Sequence, residues 1–252
     1  MTRASSAIGI KYRDGVILST DTILNYGRLQ IPFKSRLLVL NGTQFAFSGD
    51  MADIQFLTEN LTKINEKFAE ENFTKKENSK ISFRNETEIN KTVNYNTYHE
   101  EKGYSTWMFI RHIQKLLYGR RTENKPLKVD VIVAGKVSKE ERELMAGENY
   151  TKMADSEIVL YSINERGNFF SSNVICTGLA HHILTPFLRK FFEDDKCKNL
   201  NENDALKIFI EALKVNFYRD CSSCDEVEVC VFNEKSNELK ITKIKLEAEW
   251  DL

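Results

Sequence analysis

The sequence predicts an α+β fold, a four-layer αββα sandwich in which two stacked β-sheets carry a pair of helices on each outer side. Strand and helix patterns come in blocks, which excludes simple βαβ winding. The blocks run as four strands, two helices, two or three strands, two helices and two strands. Stacked sheets with outer helix pairs would bury the apolar face of every one of these elements.

The first block opens with a hairpin at residues 1–21. Two apolar runs, at residues 7–10 and 16–18, flank Asp14-Gly15. Asp-Gly between strand-like runs is a strong signal for a hairpin turn. The second run ends on Asp21, and small hydroxyl residues lie at the start of the first. A fold that begins in this way can place its own N-terminus in a catalytic pocket.

A second strand pair at residues 36–40 and 44–47 is joined by an Asn41-Gly42 turn. After Ser48-Gly-Asp50 the apolar period changes to that of a helix. Asp50 or Asp53 can cap this helix. Its apolar residues are spaced 3, 4, 3 and 4 apart, which places them on one helical face: Ile54, Leu57, Leu61, Ile64 and Phe68.

Apolar periodicity is absent from about residue 69 to residue 103. This stretch consists of Lys, Glu, Asn and Thr with scattered aromatic residues. We expect a largely disordered, solvated insertion within a single domain that spans residues 1–252. A charged helical extension and a recognition segment are the alternatives.

The second half of the chain repeats the pattern of strands followed by helices. We expect a helix capped by Ser105 that ends near residues 118–121, then strands at 129–135, 157–163 and 168–170. A third helix opens at Thr177-Gly178, and Pro186 either kinks it or marks a late start. Asp204 is expected to cap a fourth helix. Two strands, at residues 227–232 and 239–244, close the fold.

Composition excludes several classes of function. The chain has 36 Lys and Arg against 37 Asp and Glu, a net charge of −1, which argues against binding to nucleic acid or to an anionic membrane. No apolar run approaches the roughly 18 residues of a membrane span. The absence of a long apolar stretch at the start makes a signal peptide unexpected. Five cysteines, an odd number, favour reduced thiols and a location in the cytoplasm and nucleus.

Six short motifs in the right order resemble those of proteasome β subunits. Lys11-Tyr-Arg-Asp-Gly-Val-Ile-Leu-Ser-Thr-Asp21 is similar to K-F-x-x-G-V-(I/V)-x-A-A-D, and residues 48–55 are similar to S-G-D-x-x-D-x-Q. The other matches are Tyr118-Gly-Arg-Arg121 with Pro126-Leu127, Cys176-Thr-Gly178 with Pro186-Phe-Leu-Arg189, Tyr218-Arg-Asp220 and Glu249-Trp-Asp251. Together they cover all but about residues 69–103 and are most similar to the seventh β subunits, the beta type-4 class.

The resemblance implies the fold of the N-terminal nucleophile (Ntn) hydrolases. In the active members, self-cleavage after a glycine frees a threonine whose hydroxyl attacks the peptide carbonyl. The α-amino group of that threonine accepts the proton, and its reference pKa near 8 makes it a usable base at neutral pH. A nearby lysine and aspartate set the charge balance, and a backbone N–H stabilises the oxyanion.

Carried over position by position, the resemblance implies a site that departs from the active pattern. Ser5 stands at the nucleophile position, after Ala4 instead of glycine, and Asp21 matches the catalytic aspartate. The catalytic lysine falls at Leu37 without a gap or at Arg36 with one. Arginine cannot give up a proton near neutrality.

The remaining positions of the implied site lie in the second half of the chain. A downstream serine falls at Leu179, whereas Asp220 and Ser223 are kept. An alternative nucleophile, Thr2, lies three residues before Ser5, about 10 Å along an extended strand. It would not reach a pocket around Asp21.

The resemblance therefore implies a non-catalytic, structural β subunit of the 20S proteasome core, with an active threonine- or serine-type peptidase subunit and a free-standing Ntn hydrolase as alternatives. The implied partners are the other β subunits of a seven-membered ring, the α ring and the opposite β ring. Trp250 is the expected interface anchor. We expect no cofactor and no metal, because Cys221-Ser-Ser-Cys224 has no second ligand pair to complete four zinc ligands.

Overall fold

Strands from distant parts of the chain form two antiparallel β-sheets, and α-helices flank both. The computed structural model of the chain describes residues 2–77, 104–139, 141 and 157–247. Within these residues there are thirteen strands and four α-helices. None of the helices described is both long enough and apolar enough to cross a membrane.

The larger sheet, called sheet I, has the order β10-β9-β8-β7-β1-β4-β5, and β6 also pairs with β7. All of its pairings are antiparallel. Its strands are β1 (Thr2–Ala4), β4 (Ile23–Tyr26), β5 (Leu29–Pro32), β6 (Leu37–Leu40), β7 (Thr43–Asp50), β8 (Val129–Lys136), β9 (Ile158–Ile163) and β10 (Phe169–Ser171).

The smaller sheet, called sheet II, has the order β11-β2-β3-β12-β13 and is also antiparallel. Its strands are β2 (Ala7–Tyr12), β3 (Gly15–Asp21), β11 (Val174–Cys176), β12 (Glu226–Asn233) and β13 (Glu238–Lys245). All seven residues of β3 are buried, because this central strand has the other sheet on one side and helices on the other.

Three apolar clusters stack between four layers. The first joins sheet I to helices α1 (Met51–Glu77) and α2 (Thr106–Thr122). The second lies between the two sheets. The third joins sheet II to helices α3 (Ala180–Phe192) and α4 (Glu202–Arg219), with a short 3₁₀ helix at Asp194–Asn199 between these two helices. The predicted four-layer αββα sandwich is confirmed.

The first hairpin differs from its prediction by one residue. The two-residue loop is Arg13-Asp14, and Gly15 already pairs with Tyr12 as the first residue of β3. Glycine is required there by close packing, since a Cβ on Gly15 would lie 1.9 Å from the carbonyl oxygen of Phe232. The Asp-Gly pair therefore predicts the hairpin correctly, but its glycine serves the strand.

The helix ends correct two further predictions. The side chain of Asn201, not that of Asp204, caps α4, because Asn201 Oδ1 accepts from the backbone N–H of Asp204 at 2.9 Å. Helix α1 continues to Glu77, so residues 69–77 of the expected disordered insertion at 69–103 are helical. Residues 78–103 lie outside the described part of the chain. The Ser105 cap of α2 is confirmed.

Four short strands were not predicted: β1, β4, β5 and β11. β1 lies inside sheet I, between β7 and β4. Arg3 pairs with Asp50 on one side and with Asn25 on the other, and Ala4 pairs with Gly49 and Leu24. Residues 2–4, directly before Ser5, therefore form an interior strand of the sheet.

Candidate functional site

Three of the residues predicted for the site meet where β1 passes into β2. Ser5 follows β1, Asp21 ends β3, and Arg36 directly precedes β6. The Ser5 hydroxyl donates to Asp21 Oδ2, and Arg36 Nη2 donates to Asp21 Oδ1. The same Arg36 nitrogen lies 3.4 Å from Ser5 Oγ. We refer to Ser5, Asp21 and Arg36 as the Ser5 cluster.

Arg36 is the most deeply buried member of the Ser5 cluster, and only 2% of its surface is exposed. Besides the Asp21 carboxylate, its guanidinium donates to three backbone carbonyl oxygens. These bonds are Nη1 to Phe47 O at 2.9 Å, Nη2 to Asp21 O at 3.3 Å and Nη2 to Ser6 O at 3.4 Å. The side chain thus ties together strands of both sheets.

Burial is the main influence on the Asp21 carboxyl. It raises the pKa of that group, whereas the positive charge of Arg36 and hydrogen bonds from Ser5, Arg36 and the backbone N–H of Ile23 oppose the rise. Because the guanidinium stays charged throughout the accessible pH range, the two side chains form a buried ion pair.

The nitrogen of Ser5 is a peptide nitrogen joined to Ala4 of β1. Ala4 is buried and packs in the cluster between sheet I and its helices. Thr2, the alternative nucleophile, is paired opposite Tyr26 in the same strand. The Ser5 hydroxyl would therefore gain a free α-amino group, the base used by the active family members, only through cleavage before Ser5.

The other predicted site residues lie outside this network of bonds. Leu37 pairs with Ala46 in sheet I, and Leu179 is exposed immediately before α3. Asp220 and Ser223 form their own turn after α4, in which Ser223 Oγ donates to Asp220 O at 2.8 Å. The structure therefore brings Arg36, and not Leu37, against Asp21.

A second set of hydroxyl groups was missed by the sequence reasoning. Thr177 Oγ1 accepts from Ser48 Oγ at 2.7 Å and from the backbone N–H of Ala7 at 3.0 Å. Ser6 Oγ accepts from the backbone N–H of Ala180 at 3.0 Å. Ser48 and Thr177 belong to quoted motifs, but these motifs do not indicate that the two hydroxyls would meet. The bonds fix the chain on the C-terminal side of Ser5.

Proton transfer decides whether the Ser5 cluster could support nucleophilic chemistry. An attacking hydroxyl needs a base that takes its proton. The Asp21 carboxylate, which accepts the Ser5 hydroxyl, is already neutralised by a guanidinium, and Arg36 cannot accept a proton near neutrality. The Nη atoms of Arg36 satisfy buried oxygens and join the two sheets, while its Nε has no partner among the described residues.

The remaining predictions concern a metal site at Cys221 and Cys224 and an interface anchor at Trp250. Cys221 is exposed, Cys224 is half-buried, and both are free thiols. Across residues 2–77, 104–139, 141 and 157–247, no group of three or more His, Cys, Asp or Glu is arranged to hold a metal ion. Trp250, the predicted interface anchor, lies outside the described residues.

Comparison with known proteins identifies the family. The proteasome subunit family model matches residues 1–120 and 88–232. A probable proteasome subunit beta type-7 of Encephalitozoon cuniculi is 26% identical over 98% of this chain and 92% of its own length. The corresponding probable subunit of Schizosaccharomyces pombe is 28% identical over 98% and 78%. Proteasome subunit beta type-4 of Drosophila melanogaster is 26% identical over 92% and 71%.

The family match covers most of the chain, and the fold and the order of motifs agree with it. The relatives bear the names of two β-subunit types. The chain therefore belongs to the proteasome subunit family, as a β subunit similar to types 4 and 7.

Proposed function

We propose that this protein is a non-catalytic β subunit of the 20S proteasome core, with a structural role in the β ring. The observation that carries the proposal is the position of β1. Thr2–Ala4, directly before Ser5, form an interior strand of sheet I, in which Arg3 and Ala4 are paired on both sides. Cleavage before Ser5 would remove that strand and leave a gap between β4 and β7.

The chemistry of the Ser5 cluster supports the same role. A buried arginine lies against Asp21, where the resemblance implies a lysine. Ala4 replaces the glycine after which active subunits cleave themselves. The Ser5 hydroxyl has no freed α-amino group beside it, and the Asp21 carboxylate that it contacts is neutralised by Arg36. It therefore has no adequate base for attack on a peptide.

The proposal extends to partners and location. As a ring subunit the chain would contact neighbouring β subunits, the α ring and the opposite β ring, and Trp250 remains the predicted anchor for the last of these contacts. Its thiols are free, as a location in the cytoplasm and nucleus would require. Its contribution to protein degradation would be to complete the particle in which active subunits work.

Intact-mass measurement of the subunit purified within its native particle tests the proposal. The expected mass includes the residues that precede Ser5, with or without Met1. A mass that begins at Ser5 would overturn the non-catalytic assignment, because it would free an α-amino group beside the hydroxyl.

A hydroxyl-reactive peptide inhibitor supplies a second test on the same particle. The probe is expected to label active β subunits, which serve as the internal control, and to leave this chain unlabelled. Native mass separates the free-standing alternative, because a lone chain has a mass of 29.2 kDa. Labelling at Ser5 or Thr2 would favour the peptidase alternative.

A further inference from the structure

A small polar cavity lies between sheet II and helix α4. Its walls include Ser19 and Asp21 of β3, Asn216 and Leu213 of α4, and Val227 of β12. The cavity volume is about 10 Å³, which is the space that the centre of a single water molecule needs. The cavity shares Asp21 with the Ser5 cluster but extends from it toward α4.

Three side-chain oxygens of residues that line the cavity lack a hydrogen-bond partner among the described residues: Ser19 Oγ, Thr20 Oγ1 and Asn216 Oδ1. The Thr20 side chain lies on the opposite face of β3 from Ser19, which leaves Ser19 Oγ and Asn216 Oδ1. Ser19 is 0% exposed and Asn216 is 6% exposed. Buried polar side chains nearly always have a protein or water partner, because an unpaired one loses its hydration without compensation. These two oxygens face one cavity from two different elements, so one bound molecule can serve both.

Two further hydroxyls of the wall, those of Ser6 and Ser223, are already occupied. Ser6 Oγ accepts from the backbone N–H of Ala180, and Ser223 Oγ donates to Asp220 O. The family pattern has two alanines where this chain has Ser19-Thr20. The polarity of the cavity at Ser19 is therefore a feature of this chain that the resemblance does not imply.

The chemistry of the wall selects a neutral ligand. Ser19 and Asn216 offer uncharged oxygens, and the carboxylate of Asp21 is paired with Arg36. A cation would lie in a buried site without a free anionic ligand, which is costly. A water molecule can donate one hydrogen to Asn216 Oδ1 and bond with the Ser19 hydroxyl through its other hydrogen or its oxygen.

We propose that this cavity binds one buried water molecule that links Ser19 Oγ of β3 to Asn216 Oδ1 of α4. The link has a consequence for the surrounding fold. The backbone carbonyl oxygen of Asn216 accepts from the backbone N–H of Asp220 at 2.8 Å, at the end of α4. The water thus connects the strand that ends in Asp21 with the helix end that carries Asp220.

The sign of a stability change tests the proposal. In Ser19→Ala the water loses a partner, so the thermal midpoint of the full chain is expected to fall, by about 2–4 °C for a lost hydrogen bond in a protein of this size. If the cavity is dry, the same change removes an unpaired hydroxyl and the midpoint rises. A rise would overturn the proposal.

Thr20→Val is the matched control on the same strand. Thr20 Oγ1 is also buried without a partner in the described part of the chain. Thr20 also lines the cavity, but strand alternation places its side chain on the face opposite to that of Ser19, so its hydroxyl is not expected to bond with the water. Its midpoint is expected to stay or rise, and equal losses in Ser19→Ala and Thr20→Val would contradict the link.

A double-mutant cycle and a density map complete the test. Ser19→Ala and Asn216→Leu are each expected to lower the thermal midpoint. The double variant is expected to lose less than the sum of the two single losses, because both substitutions remove the same water. Additive losses would contradict a shared ligand. A high-resolution map of the native protein is expected to contain a water within hydrogen-bond distance of both oxygens, and a direct bond between the two side chains would refute the proposal.

Discussion

At the residue scale, the candidate site depends most on Arg36. Its guanidinium donates to the Asp21 carboxylate and to the backbone carbonyls of Ser6, Asp21 and Phe47. These acceptors belong to segments that are far apart in the sequence, so one side chain satisfies the polar groups of several buried strand ends. Loss of its charge would leave the buried Asp21 carboxyl without its counter-charge, and the several carbonyl oxygens without their donor.

Arg36→Met is therefore expected to destabilise the chain by about 3–5 kcal/mol, the usual loss when one partner of a buried ion pair is removed. Chemical denaturation of the full chain measures this. The control is Arg13→Met, which breaks the exposed Arg13–Asp14 pair at 3.0 Å and is expected to cost about 1 kcal/mol or less. Similar losses in the two variants would mean that Arg36 acts mainly by filling space.

The sequence could predict the members of the site but not their contacts. The motif pattern placed Ser5 and Asp21 correctly beside one another, because both lie in or next to strands of the first hairpin. It left Arg36 and Leu37 open, because neighbouring residues at the start of a strand point in opposite directions. Which of the two faces Asp21 depends on where β6 begins, and pairing with β7 decides that.

At the element scale, length determined most of what could be predicted, although β6 and β10, of four and three residues, were also predicted because each lies a short connection away from a longer strand. Each of the long helices and the strands β2, β3, β7, β8, β9, β12 and β13 contains enough residues for its apolar period to be recognised. β1, β4, β5 and β11 have three or four residues each, which is too short for a period. They form strands because a neighbouring strand offers free backbone hydrogen-bonding groups. Which strand becomes the neighbour depends on the tertiary fold and not on the local sequence.

Gly49 illustrates how such pairing constrains a residue. It pairs with Ala4 of β1 and with Val129 of β8. Its φ is +120°, and an added Cβ would lie 2.2 Å from the carbonyl oxygen of Lys128. The glycine in Ser48-Gly-Asp50 is thus required because a backbone passes close by in sheet I, a contact that the local sequence does not reveal.

The contact between α1 and α2 is expected to weaken on acidification. His112 of α2 and Asn60 of α1 lie 2.9 Å apart, from Nε2 to Oδ1. Burial, and next the charge of Lys115, lowers the pKa of His112 below its usual 6.5. The unfolded chain then binds the proton more readily than the folded chain does. The stability that His112 contributes is therefore fully present above about pH 6.5 and is lost as the pH falls through the folded pKa.

Unfolding free energies measured between pH 7.5 and pH 5 test this effect. His112→Gln keeps a hydrogen-bonding group without a titrating ring, so its stability is expected to fall less over this range than that of the unchanged chain. His182→Gln, at an exposed position in α3, is the control and should follow the unchanged chain. Parallel curves for all three proteins would show that His112 is not responsible.

At the scale of the whole molecule, the insertion is expected to be separable from folding. The ring of Phe68 in α1 contacts that of Tyr104 at 5.4 Å between centroids. The helix continues from there to Glu77, about 13 Å further at 1.5 Å per residue. Residues 78–103 connect the end of this extension to Tyr104. The Phe68–Tyr104 contact joins α1 to the start of α2 independently of that connection.

Replacing residues 78–100 by a Gly-Ser linker of about ten residues is expected to leave the thermal midpoint nearly unchanged, because closure entropy depends only weakly on loop length. Incorporation into the native particle is measured in parallel. A normal midpoint with lost incorporation would mean that the segment contacts a partner. A lowered midpoint would mean that it belongs to the folded domain after all.

Several of the exposed apolar side chains in the described residues lie on different elements of the fold. Tyr26, Leu29 and Ile31 lie on the β4–β5 hairpin at one end of sheet I, whereas Leu179 and Phe191 lie at the two ends of α3. Clusters of this kind mark interaction sites more often than single exposed residues do. Ile241 of β13 is also exposed, but its chain neighbours in that strand are mainly charged or polar.

Leu29→Asp should consequently weaken assembly without weakening the fold. Leu29 is 60% exposed, so a carboxylate there stays hydrated in the isolated chain and the midpoint is expected to stay within about 1–2 °C. In a particle where a partner covers the hairpin, the same carboxylate would be buried without a pair, which is costly. Native gels are expected to show reduced incorporation.

Ile241→Asp, at 46% exposure, makes the same change outside the cluster and should assemble normally. If both variants assemble at normal yield, the β4–β5 hairpin is not a subunit contact, and the exposed apolar residues there need another explanation.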